Sequence, residues 1–83
     1  MTNYDIKDAK HLHDYQLEIY FSDGKIVVLD FEKAFEKYVK GFYAKYRKPS
    51  EFVKFKVDEG KLVWGKNWDV MFPNEQLYRG KIN

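Results

Sequence analysis

The 83-residue sequence predicts a small α+β domain whose elements run β-β-β-α-β-β and close on a short C-terminal helical turn. Three observations carry that prediction. Apolar residues alternate over 15–21 and recur over 25–29 around an Asp-Gly dipeptide; aromatic residues repeat at helical spacing from Phe31 to Phe42; and a second pair of short alternating runs flanks Glu59-Gly60.

In the first run Leu17, Ile19 and Phe21 share one face and Gln16, Glu18 and Tyr20 the other, the pattern of a half-buried strand. Asp23-Gly24 accepts the positive φ angles of a tight turn, so residues 15–21 and 25–29 read as a hairpin. Residues 4–12 alternate less cleanly and read as a third strand beside it. Asp30 can cap the following helix, which carries Phe31, Ala34, Phe35, Tyr38, Val39 and Phe42 on one face, Glu32 in its first turn and Lys37 and Lys40 in its last. Gly41 can end that helix in a left-handed conformation. The face of Phe31, Phe35, Tyr38, Val39 and Phe42 is expected to form the core, with a partner-binding ridge as the alternative. Residues 41–48 read as a loop and 49–52 as a helical turn. Phe55 and Val57 then alternate with Lys54 and Lys56, Asp58-Glu59-Gly60-Lys61 turns the chain, and Leu62-Val63-Trp64 returns. Pro73 opens a final short helix to Tyr78, since proline is tolerated in a first turn.

A chain of this length has room for one domain and one core, residues 1–83, burying roughly 60 to 65% of the surface its unfolded form exposes. Aromatic residues make up 19% of it, and each ring removes roughly 150 to 250 Å² from water. No cysteine is present, which excludes disulfides, thiolate metal sites and cysteine nucleophiles. The opening MTNYDIKDAK is charged and lacks an apolar leader, and no run approaches the roughly 20 apolar residues of a membrane span. A cytoplasmic protein is the expectation. The net charge of +2 is unevenly spread, from −4 over residues 1–36 to +6 over residues 37–56.

Little in the sequence points to chemistry. His11 and His13 are expected on one strand face, where two imidazoles can ligate a metal, but nothing at recognisable spacing supplies a third ligand or an orienting second layer. Ser22 and Ser50 sit at a turn and a helix start without a Gly-x-Ser-x-Gly elbow. Asp14, Asp23, Asp58 and Asp69 mostly fall at turns, where Asp is common for backbone reasons. The five glycines are scattered and form no phosphate loop. No catalytic residue, metal or cofactor is therefore expected, and an enzyme using His11, His13 or Asp69 is the least favoured reading. The stretch KGFYAKYRKPSEFVKFK interleaves cations with Phe42, Tyr43, Tyr46, Phe52 and Phe55. Phosphate-neutralising cations beside stacking rings are what single-stranded nucleic-acid binding uses, with Lys45, Arg47 and Lys48 as the candidate contacts. Its competitor is rings in the core and lysines in water.

The motifs Phe-x-Asp-Gly at 21–24, Val-x-Asp-Phe at 28–31 and Phe-Val-Lys-Phe-Lys-Val-Asp at 52–58, followed by Val63-Trp64, Asp69, Pro73 and Leu77-Tyr78, resemble the small bacterial domain of unknown function 2442 over most of residues 4–78. The segment from Asp69 to Tyr78 is longer than is typical of that family. The resemblance implies a small α+β domain with an antitoxin or regulatory role, since some members are fused to a C-terminal helix-turn-helix domain and some are encoded beside small toxin-like proteins. It implies no catalytic residues. This sequence, running to Asn83, is expected to lack the DNA-binding appendage.

The stretch LVWGKNWDVMFPNEQLY places two tryptophans and an aspartate within six positions. Trp64 is expected to face the core at a strand end, with Asp69 bonding backbone amides to hold a corner. The functional alternative is a partly exposed patch of Trp68, Phe72 and Tyr78 against which a protein partner packs. A non-enzymatic module docking a protein partner, toxin-like or a copy of itself, through these aromatics or an exposed strand edge, is the leading expectation. Nucleic-acid binding through residues 40–56 stands second.

Overall fold

The alternation of the N-terminal third becomes a three-stranded antiparallel sheet. In a computed structural model that describes residues 4–82, β1 (Ile6–His13) pairs with β2 (Gln16–Phe21), which pairs with β3 (Ile26–Asp30). Leu17, Ile19 and Phe21 face inward, as their spacing requires. Gly24, at φ 97°, closes the β2–β3 turn, and the Asp23 carboxylate accepts from the Lys25 amide at 2.9 Å. The first strand starts two residues later than its sequence suggests. Register shifts between Ile6 and Asp8 and between His11 and His13 interrupt the two-residue period there, which is why its alternation is unclean.

The helix is shorter than its aromatic spacing predicts. α1 spans Glu32–Tyr38, with the Asp30 carboxylate accepting from the Glu32 amide at 2.9 Å and Phe31 at the cap. Its last bond joins the Val39 amide to the Phe35 carbonyl, after which Lys40 is extended and Gly41 takes φ 62°. The left-handed glycine is thus present, but beyond a helix that has already ended. Residues Gly41–Arg47, expected as a loop, wind into a 3-10 helix, and Pro49–Phe52 form the expected turn, α2.

The second sheet runs β4 (Lys56–Asp58), β5 (Lys61–Trp64) and β6 (Val70–Met71) in that order, all antiparallel. Glu59 and Gly60 at φ 51° and 77° make the two-residue turn with both central residues left-handed that suits a twisted hairpin. At two residues, β6 is too short to leave a periodic signal in the sequence. α3 (Asn74–Arg79) follows Pro73 and ends at Gly80, φ 71°, where the Lys81 amide reaches back to the Gln76 carbonyl and the Gly80 amide to that of Leu77, a Schellman termination.

Both sheets and the helices share one buried cluster centred on Trp64, whose ring meets those of Phe31, Phe35, Phe52 and Phe72 at centroid separations of 5.8, 4.9, 5.6 and 6.1 Å. The Trp64 indole N–H, fully buried, donates to the Phe52 carbonyl at 2.7 Å. The Asn74 side-chain amide ties the sheets together, donating to the Tyr4 carbonyl at 3.0 Å and to the Gly60 carbonyl at 2.8 Å, the latter also accepting from the Ile6 amide. Among the described residues no helix is long and apolar enough to cross a membrane.

Candidate functional site

The segment after Trp64 folds as a structural corner. Gly65 adopts φ 91°, Trp68 takes the left-handed value of 55°, and the Trp68 amide bonds the Gly65 carbonyl. Asp69 holds the corner through a side chain rather than through the backbone amides its sequence position suggests: its carboxylate accepts from the Tyr46 hydroxyl at 2.8 Å. That bond, with burial adding to it, pushes the Tyr46 phenol above its ordinary pKa. A side chain at Gly65 would force the Tyr46–Asp69 pair to shift, since a Cβ there would lie 2.6 Å from the Tyr46 hydroxyl and 2.7 Å from the Asp69 carboxylate.

The three tail aromatics do not form one patch. Phe72 is only 6% exposed and packs against Phe31, Phe35 and Trp64, because β6 turns it inward beside Val70. Trp68 is half-buried, its indole N–H donating to the Asp58 carboxylate at 2.9 Å. Tyr78 fastens α3 to the first sheet: its ring packs on Tyr4 and Phe21, the Lys25 ammonium sits 4.1 Å from the ring centre, and its hydroxyl donates to Asp23 at 2.6 Å. The same bond raises the Tyr78 phenol and, with the Lys25 amide, lowers the Asp23 carboxyl.

The histidines also separate. The register shift between them breaks the shared face; His11 donates from Nε2 to the Asp14 carbonyl at 2.9 Å and sets its ring against Phe52, whereas exposed His13 lies 3.4 Å from the Asp14 carboxylate. Among the described residues no three metal-ligating side chains come together. Lys45, Arg47 and Lys48 are exposed on and just after the 3-10 helix. Arg47 and Lys48 line a shallow groove with Glu32 and Glu36 of α1, so cations and carboxylates share it. The rings interleaved with these cations divide: Tyr46 and Phe52 are buried and Phe55 half-buried, while Phe42 and Tyr43 face water.

The exposed rings gather elsewhere. Tyr38 and Met71 are shared by two adjoining shallow grooves over Val39 and buried Phe72, and Tyr43 lines the first of them. Phe42 meets Tyr43 edge to face at 5.4 Å. Phe42 is 82% exposed and Tyr38 58%. Leaving such a ring in water forgoes roughly 1.5 to 3 kcal/mol of burial. Both were expected in the core; the early end of α1 gives the buried position to Val39, and the 3-10 helix carries Phe42 away from the helical face. Lys37, Lys40 and Lys45 flank these rings in sequence and are exposed, the Lys37 ammonium lying 5.4 Å from the Tyr38 ring centre. Spacing alone hides this surface, because it assigns Tyr38 and Phe42 to the same face as Phe31 and Phe35.

Fold and surface together define a small α+β domain with an exposed, lysine-flanked aromatic face. Comparison with family models, with curated proteins and with solved structures gives no match.

Proposed function

We propose that this domain is a non-enzymatic, cytoplasmic binding module that docks an acidic protein partner through Tyr38, Phe42, Tyr43 and Met71. The observation that carries this reading is the 82% exposure of Phe42 in a chain that buries most of its other phenylalanines. Aromatic residues and Met are enriched where partners pack, and desolvated rings dominate binding energy. The flanking Lys37, Lys40 and Lys45 favour a partner of opposite charge and speed its encounter. The resemblance to the domain of unknown function 2442 lends support, since a toxin-like neighbour is the kind of small protein such a surface suits. The test is a tagged pull-down from the native cell, comparing wild type with Phe42→Ala and Tyr38→Ala, followed by titration with the purified captured protein. Binding lost in both variants, with thermal unfolding unchanged, is the expected result; binding indifferent to both substitutions removes the proposal.

A second reading, nucleic-acid binding, is favoured by one specific feature: Phe42 and Tyr43 stand exposed between Lys40 and Lys45. Rings that stack on bases beside cations that meet phosphates would use Lys45, Arg47 and Lys48 as contacts. Its signature is affinity for a labelled single strand that falls steeply with salt, and a shallower salt slope in Lys45→Ala. Absent or salt-independent binding excludes it.

A further inference from the structure

We propose that the free edge of β3 pairs with the same edge of a second copy, antiparallel about a two-fold axis at Val27, joining two three-stranded sheets into one of six strands. This surface shares no residue with the aromatic face, and the inference does not rest on the function proposed above.

Among the described residues β3 is an end strand of its sheet. The Phe21 amide bonds the Lys25 carbonyl and the Phe31 amide bonds the Tyr15 carbonyl, so on the antiparallel two-residue period Lys25, Val27 and Leu29 direct their backbone groups to β2. Ile26, Val28 and Asp30 direct theirs to the open edge. Natural edge strands are blunted with lysine, proline, a bulge or a covering element. Ile26-Val27-Val28-Leu29 has none of the first two, and β2 and β3 pair without a register shift. Ile26 and Val28 are 56% and 52% exposed on the outer sheet face, while α3 packs beneath the sheet near Leu29, where Gly80 approaches its side chain.

The strand complements itself in one register. With Val27 opposite its own mate, Ile26 faces the partner copy's Val28, and these outward-directed residues exchange four backbone hydrogen bonds across the two-fold axis. The exposed β-branched side chains then form a four-residue apolar cluster on the outer face, and the two Val27 side chains meet on the inner one. No like charges oppose each other, because Asp30 falls opposite Gly24. A slip to the register centred on Val28 would set each Asp30 carboxylate against Ile26, which disfavours it. The pairing also closes at two copies, because the two-fold contact uses the same edge on both; of the other edges, β1 is held at its first residue by the Ile6 amide on the Gly60 carbonyl, and β6 is only two residues long.

The test is sedimentation of the full chain from low-micromolar to near-millimolar protein. Wild type is expected to pass from monomer to dimer with rising concentration. Val28→Lys, placed where the protomer already exposes the side chain, should weaken that association by roughly tenfold or more with an unchanged circular dichroism spectrum. Phe42→Ala should leave it intact. If Val28→Lys fails to fold, amide exchange of the wild type decides: the Ile26 and Val28 amides should slow with concentration and the Val27 amide should not. A protein monomeric throughout, a dimer indifferent to Val28→Lys, a dimer lost in Phe42→Ala, or edge amides insensitive to concentration would each overturn the pairing. Apart from loss of the dimer in Phe42→Ala, which would move self-association to the aromatic face, none of these outcomes bears on whether Phe42 binds another protein.

Discussion

Phe31 and Phe35 disappear into the core around Trp64, whereas Tyr38 and Phe42, next in the same run of helically spaced aromatics, remain in water. The difference teaches that spacing orients a ring only while the helix lasts. α1 ends within two turns; Val39 takes the buried place four residues beyond Phe35, and an extended Lys40 followed by a left-handed Gly41 cancels the register for Phe42. One set of rings holds the fold together and the other is left facing water.

Substitutions separate these two sets by size of effect. Trp64→Ala should be the most damaging, costing about 3 to 5 kcal/mol because it empties the centre of the ring cluster and strands the Phe52 carbonyl; urea unfolding followed by circular dichroism will measure it. Gly65→Ala comes next, at about 1 to 3 kcal/mol, since it combines an unfavourable φ with a methyl driven into the Tyr46–Asp69 bond. Tyr46→Phe should cost about 1 kcal/mol and also carries a pH signature. The folded-state phenol is raised above its ordinary 10.0, so its contribution is fully present below about pH 10 and is lost as pH rises through the raised value. Alkaline denaturation of Tyr46→Phe should therefore slope less steeply than that of wild type, Tyr78 supplying the remainder. Phe42→Ala belongs at the bottom, within about 0.5 kcal/mol of wild type. If its unfolding midpoint instead shifts as far as that of Tyr46→Phe, the division between rings that hold the fold and rings left exposed fails.

Much of the fold was legible in the residues because its signals are local. The β2–β3 hairpin, the Glu59-Gly60 turn, the inward Trp64 and the proline-led final helix each follow from alternation or from a turn residue a few positions away. What escaped depends on contacts distant in sequence. Nothing near Asp69 announces that its partner is Tyr46, 23 residues earlier, and nothing near Phe72 reveals that a two-residue strand turns it inward. The exposed face at Tyr38 and Phe42 was hidden for the opposite reason, since the local pattern was strong and tertiary geometry overrode it. The unprotected edge of β3 was readable only in part: its apolar run is plain, but that no strand among the described residues covers it is a matter of topology.

The side-chain amide of Asn74 links Tyr4 to Gly60, closing a loop of 70 residues with a single group. The hairpins it joins are each built from neighbours in sequence and can form early and independently, but this junction must wait until the first strand and the final helix meet. The first strand and the final helix therefore lock and unlock as one event. Protease trimming of the final helix should accordingly loosen the first strand, about 70 positions earlier, before it disturbs the hairpin between them.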